Sequence, residues 1–464
     1  MFAVFNGLLI MKLKQAFDVT RGDVVAFTGA GGKTSTLIGL GYELSEAGWR
    51  VLATTTTAIS EEQLALFPYA MRYDVGARAI SDALNEYHFV FLYDKIRRGQ
   101  VYGPDVQWTP QLLDSIDSDV LLVEADRSEG KPFKAPYDDE PIVPLEASLV
   151  VPVMSMSVLG KPFDDEHVYN PDAMTAKYGF AENGFVKSPW LAQILRDDDL
   201  GLKGIPDKAR VIAFLNQTPE RGYFRGRARM IARLALQSER IHGVAFGSVR
   251  SAEPVQELLR SIGAIVLAGG QSVRMGQPKV LLPWGENSTI IEHIIDQLIR
   301  SRINHISVVT GYNADEIKSL IKPLGVKVVH NRAYKTGEML SSLKAGLRTM
   351  PDNVGAALVV LGDQPRIQPK VIYQLLSAYA QGAGNLLIPS HKMRRGYPIL
   401  IGRQYWAELL KLRRTETLED LLTAYHNEVT TVKVDTDSIL RDVDTLEDYR
   451  QERLRAGLAD IRLR

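Results

Sequence analysis

The sequence predicts an α/β protein built from two domains, and three observations support this prediction. Short apolar runs alternate with helical patterns along nearly the whole chain, which indicates mainly parallel sheets covered by helices. The chain has 464 residues, too many for one ordinary hydrophobic core. A glycine-rich loop follows the first strong strand of each half. We therefore expect domains over residues 12–250 and 262–450, joined near a helix that spans 251–262.

Twelve apolar runs have the length and the flanking residues of buried strands. In the first half the predicted strands are Val24–Thr28, Val51–Thr54, Val120–Val123, Leu149–Val153, Val211–Leu215 and Gly243–Ala245. In the second half they are Ala264–Ala268, His305–Thr310, Val326–His330, Ala357–Leu361, Leu386–Pro389 and Val429–Val434.

The composition is that of an ordinary globular protein, and it excludes several classes of function. Basic and acidic side chains number 55 each, so no global charge attracts nucleic acid or an anionic membrane. No segment approaches the roughly 18 apolar residues that would span a bilayer. The absence of cysteine excludes disulfides, thiolate metal sites and cysteine nucleophiles. We predict a cytoplasmic protein with neither nucleic acid nor membrane as a partner.

The first glycine-rich loop lies in VVAFTGAGGKTST, between a strand and a helix. Backbone amides of such a loop, and the helix N-terminus behind it, point at phosphate oxygens. The lysine bridges the β- and γ-phosphates and the next hydroxyl binds Mg²⁺. The residues predicted to bind the nucleotide are Gly29, Gly31, Gly32, Lys33, Thr34 and Ser35, with Thr34 also a metal ligand. Phe27 stands at the first glycine of the Walker A pattern, and the loop resembles the shorter form found in Mur ligases.

An acidic strand end is predicted to complete this site. The segment DVLLVEAD is an apolar run that ends in Glu124 and Asp126. One carboxylate would hold Mg²⁺ through water, and the other would orient an attacking water. We prefer this interpretation to that of two solvated side chains at a strand end.

Two further polar segments follow predicted strands. The four threonines at 54–57 either contact the γ-phosphate or metal at the sheet edge, or they are present only as strand formers. Asn216-Gln217 begins like a guanine-binding motif, but Pro219 stands where that motif needs an aspartate, so GTP is not indicated.

The first half resembles a known family. TGAGGKTS, the threonine run and EADRSEGKPFKAP are together similar to the YqeC proteins, accessory factors associated with selenium-dependent molybdenum hydroxylases. Arg127 stands where the usual form of the last motif has glycine. The resemblance extends over residues 12–250 and implies a P-loop NTPase-like, doubly wound sheet that binds ATP or GTP with Mg²⁺.

The second loop lies in AIVLAGGQSVRMGQPKVLL, where a buried strand runs into glycines and then into cations. Glycines let the backbone approach a bulky anion, and their free N–H groups form an anion-binding concavity. Arg274 and Lys279 add two positive charges, which suits a triphosphate. The residues predicted to bind the nucleotide here are Leu267, Ala268, Gly269, Gly270 and Ser272.

Two carboxylates downstream are predicted to hold a metal. Asp363 follows the apolar run of VVLGDQP, and Asp444, with Asp442 behind it, lies in RDVDTLEDY. Magnesium prefers a few carboxylates together with waters and phosphates, which suits this sparse set. We predict Lys279, Arg274 and Asp363 as catalytic residues, with Asp363 and Asp444 as metal ligands.

These motifs resemble the MobA-like nucleotidyltransferases, whose signature is LAGGxSxRMGxxK. The resemblance extends over residues 262–450 and implies a Rossmann-like nucleotide-diphospho-sugar transferase fold. Within it, the acceptor side is implied to contain Gly337, Ser341 and Ser342, and also Gly396 and Pro398 of an RGYP turn in which Tyr397 replaces the family's histidine. The branch it is most similar to is MocA/YgfJ, the molybdenum cofactor cytidylyltransferases and molybdenum hydroxylase accessory proteins.

The two resemblances together imply an enzyme that matures the molybdenum cofactor. The expected reaction is Mg²⁺-dependent transfer of CMP from CTP onto molybdopterin, with an apo molybdenum hydroxylase as protein partner. The LAGG sequence at 267–270 is typical of the guanylyl branch, so GTP remains an alternative. A sugar-phosphate nucleotidyltransferase and an NTP-gated chaperone that delivers the cofactor are further alternatives.

Overall fold

The computed structural model describes residues 11–181, 184–270, 275, 277–335 and 339–459. The chain divides into two compact units, Met1–Leu259 and Arg260–Arg464. Each unit is a mixed α/β structure with its own principal sheet.

The first unit is built on a nine-stranded sheet. The described strands are β1 (Val24–Gly29), β2 (Val51–Thr55), β3 (Ala58–Ser60), β4 (Tyr69–Arg72), β5 (Phe89–Tyr93), β6 (Lys95–Arg97), β7 (Gln100–Tyr102), β8 (Val120–Glu124), β9 (Phe133–Lys134), β10 (Leu149–Ser155), β11 (Val168–Tyr169), β12 (Arg210–Asn216), β13 (Gly243–Gly247) and β14 (Val255–Leu259). The principal sheet has the order β14-β13-β12-β10-β1-β8-β2-β5-β4. Its pairings are parallel except that of β13 with β14, so the carboxyl ends of β1, β2, β8, β12 and β13 lie at one edge.

Helices cover this sheet on both faces. They are α1 (Leu13–Phe17), α2 (Lys33–Glu46), α3 (Glu61–Leu64), α4 (Ala77–Tyr87), α5 (Thr109–Ser115), α6 (Pro171–Tyr178), α7 (Ser188–Leu195) and α8 (Tyr223–Ala235). Successive side chains of a strand point to opposite faces. In β1, Val24 and Ala26 belong to one hydrophobic core while Val25 and Phe27 belong to another. Burial on both faces explains why these strands are continuous apolar runs rather than alternating ones.

The second unit has an eight-stranded sheet. Its strands are β15 (Ser261–Ala268), β16 (His305–Thr310), β17 (Lys327–His330), β18 (Val354–Leu361), β19 (Leu386–His391), β20 (Arg394–Arg395), β21 (Ile399–Gly402) and β22 (Val429–Lys433). Its helices are α9 (Ile290–Arg300), α10 (Ala314–Ile321), α11 (Met339–Leu347), α12 (Pro369–Ala380), α13 (Trp406–Lys411), α14 (Leu418–Ala424) and α15 (Leu446–Arg455). The strands follow the order β17-β16-β15-β18-β21-β19-β20, with β22 against β19. Ala264 and Val266 of β15 face one core and Ile265 the other.

Each of the twelve predicted runs falls on a strand, but the predicted helix over 251–262 is wrong. This segment forms β14, antiparallel to β13, and the start of β15. The side chain of Glu257 is buried and accepts hydrogen bonds from Arg225 Nε and Arg229 Nε of α8, each at 2.8 Å. These tertiary contacts outweigh the weak helical preference of the local sequence.

The sequence analysis missed the strands β3, β4, β5, β6, β7, β9, β11, β14, β20 and β21. Of these, β5 and β21 are apolar runs with a clear signal, whereas the sequence YAMR of β4 has none. Among the described residues, no helix combines the length and the apolar character needed to cross a membrane.

Candidate functional site

The glycine-rich loop of the first unit connects the end of β1 to the start of α2 at Lys33. Gly29 and Gly31 have φ angles of 86° and 76°, a region that side chains rarely adopt. A Cβ atom on Gly29 would lie 2.2 Å from the carbonyl oxygen of Val153, and one on Gly31 would lie 2.4 Å from Cβ of Ser155. The backbone therefore requires glycine at both positions, and the loop is held against the end of β10.

Lys33 lies in the wall of this loop and is almost completely buried. Its Nζ donates hydrogen bonds to the carbonyl of Gly29 and to Oγ of Ser128, both at 3.0 Å, and it lies 3.9 Å from Oε1 of Glu124. Burial lowers the pKa of the Lys33 ammonium group, against the opposing effect of Glu124 and other carboxylates. A cation that is poorly solvated in this way favours an anionic ligand.

The two predicted carboxylates at the end of β8 have different surroundings. Asp126 is fully engaged: Oδ1 accepts from Nζ of Lys134 at 2.5 Å, and Oδ2 accepts from the Gly29 amide at 2.9 Å. Glu124 is also buried, yet its Oε2 has no hydrogen-bond partner among the described residues. Burial raises the pKa of both carboxyl groups. Glu124 therefore has an oxygen available for a ligand, whereas Asp126 positions the loop.

Lys134 and Glu140 complete a buried ion-pair network that the sequence analysis did not include. Lys134 Nζ contacts Glu140 Oε2 at 2.9 Å, and Arg127 Nε donates to the other Glu140 oxygen at 2.7 Å. Arg127 stands at the expected glycine position, but the positive φ angles lie further on, 49° at Glu129 and 77° at Gly130. The turn therefore forms two residues later than the family pattern suggests.

The threonine run is divided between structural and cavity-facing roles. Thr54 Oγ1 donates to the carbonyl of Leu92 at 2.8 Å, and Thr55 Oγ1 donates to that of Glu124 at 2.9 Å. Thr56 and Thr57 line a cavity, and Thr56 Oγ1 also donates to the carbonyl of Ile142 at 2.8 Å. Thr54 and Thr55 therefore stabilise the sheet, while contact of Thr56 or Thr57 with phosphate or metal stays a prediction.

Asn216, at the end of β12, holds the same loop from the other side. Its Nδ2 donates to the carbonyl of Gly31 at 3.0 Å, and its Oδ1 accepts from the amide of Val249 at 3.1 Å. The loop, the carboxylates and Asn216 surround a cavity of about 1120 Å³. Its lining includes the predicted residues Gly31, Gly32, Lys33, Thr34, Ser35, Glu124 and Asp126.

The glycine-rich loop of the second unit follows β15 and lines a cavity of about 280 Å³. The predicted residues in its lining are Leu267, Ala268, Gly269, Gly270, Lys279, Ser342 and Asp363. Ser272, Arg274 and Gly337 lie outside the described residues. Beneath the cavity, the backbone joins the ends of β15 and β18. The amide of Gly362, just after β18, donates to the carbonyl of Leu267 in β15 at 3.0 Å.

Lys279 brings the two predicted metal ligands together. Its Nζ lies 2.5 Å from Oδ2 of Asp363 and 3.0 Å from Oδ1 of Asp444. The amide of Val443 donates to the carbonyl of Asp363 at 2.9 Å, which fixes the distant segment against the end of β18. Burial raises the pKa of Asp363, with Lys279 opposing the shift. Burial alone would lower the pKa of Lys279. The two carboxylates have the larger effect, so the pKa is raised.

The predicted acceptor residues are only partly brought together. Asn331, which the sequence analysis did not single out, donates from Nδ2 to Oγ of Ser341 at 2.8 Å and of Ser342 at 3.0 Å. Gly396 and Pro398 are not among the described residues that line the cavity. Gly396 is required for packing, because a Cβ atom there would lie 2.1 Å from the carbonyl of Ile439.

Comparison with known proteins matches a separate family model to each of the two units. The family model "YqeC protein" matches residues 25–172, and "MobA-like NTP transferase domain" matches residues 264–429. The uncharacterized protein YqeC of Escherichia coli is 30% identical over 201 residues, which are 42% of this chain and 77% of that protein. The chain belongs to the YqeC family. Its second unit carries a MobA-like NTP transferase domain, and the protein is a nucleotidyltransferase.

Two relatives match the MobA-like domain. The molybdenum cofactor cytidylyltransferase of Escherichia coli is 28% identical over 193 residues, which are 41% of this chain and 95% of that protein. Among solved structures, a nucleotidyl transferase from Methanothermobacter is 23% identical, with a TM-score of 0.37, and the match covers 42% of this chain and 99% of that one.

The ion-pair network of the YqeC domain gives a prediction for stability. Replacing Lys134 by methionine leaves two buried carboxylates, those of Asp126 and Glu140, without their shared cation. Breaking a buried pair in this way costs about 3–5 kcal/mol. We expect the free energy of unfolding to fall by that amount. Urea denaturation of the full chain measures the loss, and hydrogen exchange of peptides from residues 120–140 locates it.

A matched control is Lys177→Met, because Lys177 also contacts two carboxylates, those of Asp197 and Asp199, but is exposed at the surface. In this variant the free energy of unfolding should fall by about 1 kcal/mol or less. Equal losses in the two variants would contradict the role assigned to Lys134.

Proposed function

We propose that the MobA-like domain transfers CMP from CTP onto molybdopterin and releases pyrophosphate. The observation that carries the proposal is Lys279, which lies between Asp363 and Asp444 beside the cavity that Gly269 and Gly270 line. A relative named as a molybdenum cofactor cytidylyltransferase, matched over nearly its whole length, supports the choice of substrates.

The residues of this site fit a divalent metal. Two carboxylates converge on one cation, and carboxylate oxygens are the ligands that Mg²⁺ prefers. Bound Mg²⁺ would neutralise charge on the α- and β-phosphates. Asp363 and Asp444 would hold it, while Lys279 and Arg274 would contact the phosphates. The acceptor is itself a phosphate and needs no base, so this chain contributes position and charge.

The choice between CTP and GTP is open to a direct test. Purified protein is incubated with purified molybdopterin cofactor and each of the four common NTPs, and pyrophosphate release is measured. We expect release with CTP. Release with GTP alone would identify a guanylyltransferase, and release with none would favour a chaperone that delivers the cofactor without nucleotide transfer.

We further propose that the YqeC domain is a P-loop NTPase-like domain that binds ATP or GTP with Mg²⁺ and serves an apo molybdenum hydroxylase in the cytoplasm. Thr34 and the unpartnered Oε2 of Glu124 fit a hydrated metal ion. Lys33 would contact the γ-phosphate. Because both oxygens of Asp126 are engaged, we now assign it to holding the Gly29 amide rather than to the metal.

Replacing Lys279 by methionine tests its role in the transfer. The charge on the α-phosphate grows in the transition state, so contacts made mainly there affect kcat rather than substrate affinity. We expect kcat for pyrophosphate release to fall about 10²–10³-fold, with a smaller change in KM. A change confined to KM would contradict this role.

A further inference from the structure

The cavity of the YqeC domain extends to both sides of the phosphate loop. Its lining includes Asn216 and Ser248 at the ends of β12 and β13, and Glu124 and Thr57 at the ends of β8 and β2. In the sheet order, β1 lies between these two groups. Neighbouring strands are ~4.8 Å apart, so the ends of the six strands from β13 through β12, β10, β1 and β8 to β2 span ~24 Å. The cavity volume, about 1120 Å³, exceeds the ~300–1,000 Å³ of a usual small-molecule site.

One triphosphate accounts for only one side of this cavity. The inference rests on the proposed binding of ATP or GTP to the loop. The groups suited to the γ-phosphate and metal, Lys33 and Glu124, lie on the side of β8. A nucleoside that extends away from them lies toward β12 and β13. The space beyond the γ-phosphate, toward β2, is then left for another molecule.

That space, here called the second lobe, is lined mainly by polar, uncharged side chains of β3, α3 and β7 and of the segment that precedes β3. They are Thr57, Ser60, Gln63, Gln100 and Tyr102. The strands β3 and β7 pair antiparallel, with Ser60 opposite Gln100, and so form a continuous wall.

The wall is connected directly to the phosphate loop. Gln63 Nε2 donates to Oγ1 of Thr34 at 3.1 Å, and Gln63 Oε1 accepts from the amide of Ser60 at 2.9 Å. The buried Oε2 of Glu124, which has no partner among the described residues, lies in the same cavity. Unpaired buried oxygens are costly unless a ligand or water satisfies them.

The charges of the lining indicate what kind of molecule fits. Arg127, on the same side, is held by Glu140 at 2.7 Å and by Asp139 at 3.5 Å. Glu62 and Glu129 add negative charge. An anionic ligand would be repelled here, whereas hydroxyl and amide groups would find hydrogen-bond partners.

We propose that the second lobe binds an uncharged small molecule bearing hydroxyl or amide groups, next to the γ-phosphate of a nucleotide held on the loop. The cavity of the YqeC domain then holds two ligands, a nucleotide on the loop and this small molecule in the second lobe.

The test compares two probes, ATP whose γ-phosphate is esterified with glycerol and ATP whose γ-phosphate is esterified with methanol, alongside the same esters of GTP. Esterification removes the same charge from the γ-phosphate of both probes, but only the glyceryl group reaches the second lobe. Isothermal titration calorimetry of the full chain, in buffer that contains Mg²⁺, should show at least tenfold tighter binding of the glyceryl ester than of the methyl ester. Gln100→Trp, which fills the lobe from the exposed end of β7, should abolish this difference and leave ATP affinity within twofold.

Gln111→Trp on α5 is the matched control, since Gln111 is exposed and lies outside the cavity lining. It should preserve the difference between the esters. Tyr102→Ala, which enlarges the lobe instead of filling it, should also reduce the difference. Equal binding of the two esters by a protein that binds ATP or GTP would overturn the second lobe alone. Failure of ATP and GTP to bind would overturn the nucleotide proposal and this inference together.

Discussion

Replacing Asp363 by asparagine is expected to reduce pyrophosphate release by at least about 10²–10³-fold. The substitution keeps the shape of the side chain but removes the partly buried charge that faces Lys279 at 2.5 Å. Without that charge, Asp444 is left as the only carboxylate of the predicted pair. The change should also weaken metal binding, which Mn²⁺ titration in the presence of CTP measures independently of turnover.

The matched control for this variant is Asp352→Asn. Asp352 is exposed and pairs with Arg403 at the surface, at 2.7 Å. Its replacement should leave pyrophosphate release within twofold. Near-native rates and unchanged Mn²⁺ affinity in the Asp363→Asn protein would show that the metal assignment is wrong.

Replacing Lys33 by alanine is expected to abolish nucleotide binding by the YqeC domain and to leave pyrophosphate release nearly intact. Each unit has its own glycine-rich loop and its own cation, Lys33 in one and Lys279 in the other. Lys33 is buried within the loop, so its loss removes the charge that attracts the phosphates. Photo-crosslinking with azido-ATP and azido-GTP, followed by peptide mapping, assigns bound nucleotide to either unit.

The matched control is Lys208→Ala, which removes an exposed lysine that lies outside the cavity lining. It should keep crosslinking to the YqeC domain. In cells, Lys33→Ala should still reduce the activity of the molybdenum hydroxylase that receives the cofactor, because the step performed by the YqeC domain is lost. Complete loss of pyrophosphate release in a well-folded Lys33→Ala protein would contradict independent sites.

Local sequence was sufficient to find the twelve predicted strands and the two loops. The runs at β1 and β15 are apolar because both faces of each sheet are buried, and this signal is present in any short window of sequence. The glycines of the first loop are required by backbone conformation and by close contacts with β10. The apolar runs and the backbone conformation are local constraints, so motif and periodicity were enough to find both, whereas the contacts with β10 arise only in the folded chain.

Only the tertiary structure decided which polar side chains act together. The sequence predicted that one of Glu124 and Asp126 holds the metal and the other orients a water, without deciding which. In the structure, Lys134 and the Gly29 amide contact the two oxygens of Asp126, whereas Oε2 of Glu124 has no partner among the described residues. The segment at 251–262 has helical character, yet it pairs with β13.

Asp444 contacts Lys279 across 165 residues of sequence. Hydrogen bonds and ion pairs depend on distances between segments remote in the chain, and on the burial that those segments create. The sequence by itself determined the twelve predicted strands, the two glycine-rich loops and the chemical groups that follow them. Their partners were decided by packing, because the strength and direction of a polar contact depend on geometry that no local pattern contains.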